Sequence, residues 1–207
     1  MAGTLGRRAF LAIAFAIGIV LSGRIAAADA EVSPKEFIAG LGERAVSALT
    51  SPDLSREERE LRFRELLDSH FDVPAIGKFV LGRYWRTATE EEKQEFLTLF
   101  EEFLIQGYAR RFAEYSGENF EVRNVRQESD GFALVQSLVI RPRAENVRVD
   151  WRVTGQQDNQ FRIVDVIVEG LSMAATQRDE FSSVIQSKGG KVAGLIDVLR
   201  QKVGQGG

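Results

Sequence analysis

An α+β fold is predicted, with an antiparallel, twisted sheet of about four strands packed against several helices. Three observations predict it. Apolar residues recur at helical spacing from Ser33 to Tyr115, and they switch to alternation between 119 and 169. They then return to helical spacing from 175 to 202. The chain has 207 residues, enough for one domain with a core of its own.

The first thirty residues read as an address. Gly6-Arg7-Arg8 precede the apolar run Ala9 to Leu21, and Ala26-Ala27-Ala28-Asp29-Ala30 supply a small-residue end. This is the pattern of a cleaved signal peptide, with cleavage after Ala28 or Ala30. The run falls short of the roughly 18–20 residues that span a bilayer, which disfavours a permanent anchor. Arg7-Arg8-Ala9-Phe10-Leu11 also resembles part of a twin-arginine export signal, so Sec export is expected, with the twin-arginine route as the alternative. Loss of Arg7, Arg8, Arg24 and Asp29 makes the net charge of −3 more negative still. No cysteine follows to carry a lipid, so the exported product is expected to be soluble. The domain is then expected over 31–203, with 204–207 as a disordered tail.

Ser33 can cap a first helix, with Pro34 in its first turn and Phe37, Ile38, Leu41, Ala45, Val46 and Leu49 on one face. Ser55 and Glu58 form a capping-box pattern that opens a second helix through Leu66, Leu67 and Phe71. Asp72-Val73-Pro74 starts a short third helix, closed by Gly82 and Tyr84-Trp85. Thr89 and Glu92 open the strongest element, a helix expected to reach Tyr115, or about 40 Å at 1.5 Å per residue. Its stripe is Phe96, Leu99, Phe100, Phe103, Leu104, Tyr108, Phe112 and Tyr115, with Gly107 where close packing is expected.

Phe120 to Val122, Gly131 to Ile140, Val147 to Val153 and Phe161 to Val168 read as strands, with a hairpin turn over 155–159. Val147, Val149, Trp151 and Val153 alternate with Arg148, Asp150, Arg152 and Thr154, which describes one covered face and one wet face. The long aromatic helix is expected across the covered face. Helices over about 175–187 and 190–202 close the chain.

Composition removes much chemistry. Without cysteine there is no disulfide framework, thiol nucleophile or cysteine metal site, and His70 is the single histidine. The negative balance argues against nucleic acid as a partner. Gly170-Leu171-Ser172-Met173-Ala174 imitates a nucleophile elbow, but no histidine follows Ser172, so a turn or cap role is preferred for it. His70 shares a helix face with Leu66 and Leu67 and reads as a satisfied, half-buried side chain. Glu90-Glu91-Glu92 complement a helix dipole, Glu101-Glu102 read as a solvated face, and Arg110-Arg111 as surface charge near a helix end. The aromatic stripe fits either a filled core or a hollow one with room for an apolar ligand.

Several strings resemble those of the MlaC family, the periplasmic phospholipid-binding proteins also described as toluene-tolerance proteins. They are Phe79-Val80-Leu81-Gly82-Arg83-Tyr84-Trp85 with Thr87-Ala88-Thr89, and the helix of Phe96, Phe100, Phe103 and Tyr108 ending in Tyr115-Ser116-Gly117. Val149-Asp150-Trp151, Val164-Asp165-Val166, Glu169 to Met173, and Gln177 to Phe181 continue the series, with Ile185, Gly189 and Leu195 behind. The likeness runs in order from about 33 to 202, and Gly82-Arg83-Tyr84-Trp85-Arg86 resembles its alphaproteobacterial branch. It implies helices that enclose an apolar cavity holding the acyl chains of a phospholipid, with the headgroup near solvent. It also implies a monomeric carrier of the Mla pathway that maintains outer-membrane lipid asymmetry. Such a carrier moves lipid between an outer-membrane lipoprotein–porin complex and an inner-membrane ABC transporter bearing an MCE-domain ring. No enzymatic activity, cofactor or metal is implied, the bound phospholipid being cargo.

The stripe and the covered sheet face then supply the candidate wall. From the helices these are Phe79, Val80, Tyr84, Phe100, Phe103, Leu104, Tyr108 and Phe112. From the sheet and its exit they are Leu138, Ile140, Val149, Trp151, Val153, Val166, Val168 and Met173. Two alternatives stay open: a carrier of another apolar ligand such as a hopanoid or solvent, and a small isomerase-like enzyme with an acid or base inside its pocket.

Overall fold

Capping boxes start three helices at the positions read from the sequence. The structure is a computed structural model and describes residues 32–115, 117–155 and 160–205. The leader over 1–30 and most of the 155–159 turn lie outside the described residues. Helix α1 spans Pro34–Leu49, where Ser33 and Glu36 each bond the other's backbone N–H. Helix α2, Arg56–His70, repeats the device with Ser55 and Glu58. Asp72 caps α3, Val73–Leu81, by accepting from Ala75 N, and a 3-10 turn over Gly82–Arg86 follows. Helix α4, Glu90–Ala109, opens on the Thr89–Glu92 box. Each pair satisfies two N–H groups that a helix start leaves without partners.

Helix α4 is shorter than expected. Its α-helical part holds 20 residues, about 30 Å, and tightens into a 3-10 turn over Arg110–Glu114. The strands β1 (Asn119–Gln127), β2 (Phe132–Ile140), β3 (Val147–Thr154), β4 (Ile163–Val168) and β5 (Leu171–Ser172) pair antiparallel in chain order. The fifth strand is an addition to the four expected. Glu169 and Gly170 both take positive φ, 49° and 83°, as a two-residue hairpin turn requires, so the chain folds back at once after Val168. Helices α5, Met173–Ser187, and α6, Val192–Gly204, complete the fold. Gly204, expected to begin a tail, ends α6, with Gln205 as its cap; residues 206 and 207 lie outside the described residues.

The helix laid on the sheet is α1, not α4. Ile38 and Leu41 pack with Ala133, Val135, Val153 and Ile163, and all six are buried. Gly42 makes this approach possible, since a Cβ there would sit 2.4 Å from Cδ1 of Phe120. Helix α4 joins a second, helical cluster instead. Phe96 and Phe100 stack at 5.5 Å, and Phe181 of α5 meets both edge-on at 6.1 Å. Ile185, Leu195 and Leu199 extend that cluster through α5 and α6. The stripe on α4 is apolar over more than one side, so one side meets α5 and α6 while Leu104 and Tyr108 turn another way. Gly107 makes no close contact, as a Cβ there would meet nothing within 4 Å. The close approach to α4 is Gly77 of α3, where a Cβ would lie 2.6 Å from Leu97. Glu101 and Glu102 are not simply solvated. Both accept from Arg64 at 2.7 Å, clipping α2 to α4.

Candidate functional site

Between the two apolar clusters lies a cavity of about 270 Å³. Trp151 of β3 with Val166 and Val168 of β4 form its sheet side, and Phe100, Leu104 and Tyr108 of α4 form the opposite side. Helices α1 and α2 close it with Leu41, Ala45, Phe63 and Leu66. The register places the sheet side, because Trp151 pairs with Val166, and Val149 with Val168, so these side chains share one face. The indole of Trp151 is fixed from behind. Its Nε1–H donates to Ser137 Oγ at 2.9 Å, Ser137 donates on to Val149 O at 2.6 Å, and Phe120 meets the ring edge-on. With its polar atom satisfied inside the sheet, the ring presents hydrocarbon to the cavity.

Nine of the sixteen candidate residues come together in this wall: Val80, Phe100, Leu104, Tyr108, Phe112, Trp151, Val166, Val168 and Met173. The other seven lie elsewhere. Leu138 and Ile140 fall on the opposite sheet face, since Leu138 pairs with Arg148 and Glu121, and Ile140 with Asn119. Val149 shares the face of Trp151 but lies beyond the wall, while Val153 is fully buried in the sheet cluster against α1. Tyr84 is buried in the helical cluster and Phe103 packs on Phe181. Phe79 is exposed, with the Arg178 guanidinium 5.3 Å from its ring centroid.

The residues that sequence reasoning left out come chiefly from α1 and α2. Leu41, Ala45, Leu49, Leu66, Leu67 and Phe71 stood on the apolar faces read from spacing, but spacing does not separate a wall facing solid core from one facing space. Polar members are few: Arg111, Asp165 and Gln177, with the phenol of Tyr108. Asp165 is buried and its oxygens are engaged, one by Ser172 Oγ at 2.6 Å and the other by Ala174 N at 3.1 Å. Ser172 also accepts from Ala175 N at 3.0 Å, so it caps α5.

His70 is buried and satisfied. Its Nδ1–H points at Leu66 O, 3.0 Å away, which leaves Nε2 to accept from Arg44 at 2.8 Å. Burial first, then the charges of Arg44 and Arg162, hold its pKa below the usual 6.5. A broad depression of about 530 Å³ lies beside it, lined by Glu43, Arg44, Arg62 and Glu65 among others and widely open to water. The partly enclosed apolar cavity is the candidate site, because many hydrocarbon side chains converge there, whereas charged and polar groups line most of the open depression. Among the described residues, no three His, Cys, Asp or Glu side chains are grouped to hold a metal ion, and no helix is long and apolar enough to cross a membrane.

The profile of the MlaC protein family matches residues 41–201, which takes in the sheet and every cavity-lining element. This chain belongs to the MlaC family. Among curated relatives of this family member, the intermembrane phospholipid transport system binding protein MlaC of Haemophilus influenzae is 21% identical over 186 residues, 86% of each chain. The toluene tolerance protein ttg2D of Pseudomonas putida is 26% identical over 136 residues, 61% of this chain and 59% of that one. A solved structure with the same architecture is the phospholipid-binding protein of Ralstonia solanacearum, in complex with a phospholipid. It superposes with a TM-score of 0.71 at 26% identity, over 83% of this MlaC-family chain and 97% of that chain.

Proposed function

We propose that this chain is a periplasmic phospholipid carrier. The acyl chains occupy the cavity between sheet and helices, and the headgroup stays at its rim. One observation carries the reading: a chain of this family holds a partly enclosed apolar cavity whose wall residues, apart from Tyr108, Arg111, Asp165 and Gln177, offer almost only hydrocarbon. Val80, Phe100, Leu104, Tyr108, Phe112, Trp151, Val166, Val168 and Met173 are the proposed contacts to lipid. The carrier passes lipid between an outer-membrane lipoprotein–porin complex and an inner-membrane ABC transporter with an MCE-domain ring, as a monomer and without enzymatic chemistry or a cofactor. The leader read over 1–30 is consistent with the periplasm as its place of work.

Energetics fix what such a carrier does and does not do. Two acyl chains hold about 30 methylenes, and at about 0.8 kcal/mol each their withdrawal from water is worth about 24 kcal/mol. That exceeds the ceiling of about 18–21 kcal/mol for non-covalent binding, so free lipid in water is the wrong reference. The cavity exchanges one hydrocarbon environment for another, near balance with a bilayer. Direction therefore comes from the partner complexes and from ATP hydrolysis outside this chain.

Native mass spectrometry of the exported protein purified from its host tests the reading. Adducts with phospholipid masses are expected, and their acyl composition should follow that of the host membrane. Protein that emerges lipid-free and takes up no phospholipid from vesicles would falsify it, and an adduct of hopanoid mass would replace the cargo.

A further inference from the structure

Arg111 is the one exposed side chain in the cavity wall. It stands in the 3-10 turn that ends α4, three residues after Tyr108, and its guanidinium lies 5.2 Å from the centroid of that ring. Tyr108 faces the cavity, so the ring holds a positive charge at the boundary between hydrocarbon and water. Among the described residues no carboxylate is within ion-pair distance of Arg111. The other charged member of the wall, Asp165, is already engaged by Ser172 and Ala174 N, with Arg152 Nη1 at 3.7 Å. The uncompensated charge at the cavity is thus positive, single and at the rim.

We propose that Arg111 receives the phosphodiester of the cargo lipid, and so selects lipids that carry one over neutral diacylglycerols. The inference rests on the carrier reading and adds a specificity-determining residue to it. A guanidinium offers two parallel N–H donors that match two phosphate oxygens, a geometry an ammonium does not reproduce. Stacking on Tyr108 keeps the fork oriented before the lipid arrives, which lowers the ordering cost of binding. Phosphodiesters are common to many headgroups, so Arg111 separates phospholipid from diacylglycerol without sorting one headgroup from another.

The exported protein is incubated with mixed micelles of equal dioleoylphosphatidylcholine and dioleoylglycerol, and native mass spectrometry reads the ratio of the two adducts. The wild type should favour the phospholipid, and Arg111→Gln should lower the ratio about tenfold, the effect of one charge-assisted contact. Arg111→Lys, which keeps charge and bulk, should fall between the two. Arg110→Gln alters an exposed neighbour outside the wall and should leave the ratio at the wild-type value. An unchanged ratio in folded Arg111→Gln, or an equal fall in Arg110→Gln, overturns the proposal while leaving the carrier intact. Wild type that takes up neither lipid overturns the carrier reading itself. Glycerophosphate titrated alone separates the two sources of phosphate. Tight binding of it at Arg111 assigns the site to a soluble anion and overturns the lipid reading, whereas no binding supports it.

Discussion

Arg44 Nη2 donates to His70 Nε2 across 2.8 Å, joining α1 to α2 through an imidazole that must be neutral to accept. A proton on Nε2 would remove the acceptor and set two cations face to face inside a buried site. Burial chiefly, with Arg44 and Arg162, lowers the folded-state pKa, while the unfolded chain takes its proton near the usual 6.5. The unfolded state therefore binds more protons between these two values, so stability is full above about 6.5 and declines as pH falls below it. The decline stops at the folded-state pKa. Urea midpoints measured from pH 8 down to 5 should show this slope, and His70→Gln should flatten it. The same slope in the variant would assign it to other groups.

Gly42 and Gly107 should respond to alanine with opposite signs. A methyl at Gly42 meets the Phe120 ring at 2.4 Å, and that ring in turn braces Trp151. Overpacking of this kind costs about 1–3 kcal/mol. A methyl at Gly107 meets nothing and replaces an exposed helical glycine, a gain of about 0.5–1 kcal/mol. Thermal midpoints should fall for Gly42→Ala and rise for Gly107→Ala.

Filling the cavity should abolish uptake without unfolding the chain. Leu104→Trp and Val166→Phe add bulk from opposite walls into about 270 Å³ of space. Phe79→Ala trims an exposed ring that lies outside the wall. Uptake of a fluorescent phospholipid should be lost in the first two and kept in the third, with all three retaining the wild-type circular dichroism spectrum. Full uptake by both filled variants would move the lipid elsewhere.

Ser172→Ala should behave as the loss of a cap. The hydroxyl bonds Asp165 at 2.6 Å and accepts from Ala175 N at 3.0 Å, so its removal costs about 1 kcal/mol. The denaturation midpoint should drop accordingly while phospholipid uptake is retained. Uptake lost at full stability would give the hydroxyl a direct part in binding.

Helix starts were legible because each is written locally. Ser33, Ser55 and Thr89 stand three residues before a glutamate, and the capping geometry follows from that spacing alone. The facing of β2 was not legible. Leu134, Val135, Leu138, Val139 and Ile140 are apolar in both parities, so alternation could not tell which face Leu138 and Ile140 would take. Pairing with Arg148 and Glu121 decides it, and that is a long-range fact. The inner face even carries a serine, Ser137, which a hydropathy rule would send outward and which the Trp151 indole requires. The turn at Glu169 was hidden for another reason: a residue with a Cβ holds a positive φ there, fastened by bonds to the Arg148 backbone. Half of the cavity wall likewise stood on faces that spacing had marked, with nothing local to say what they faced.

The space between the two apolar clusters has a thermodynamic meaning beyond lodging a guest. Void volume in a protein interior forgoes about 24 cal/mol of cohesion per Å³, so 270 Å³ corresponds to about 6 kcal/mol. Net folding stability of a whole domain is of that order, about 5–15 kcal/mol. On the proposed reading, cargo that fills the space completes contacts the chain leaves open. Folding and loading are then linked: under the proposed function, lipid bound in the cavity would add to stability, and its release would give that part back.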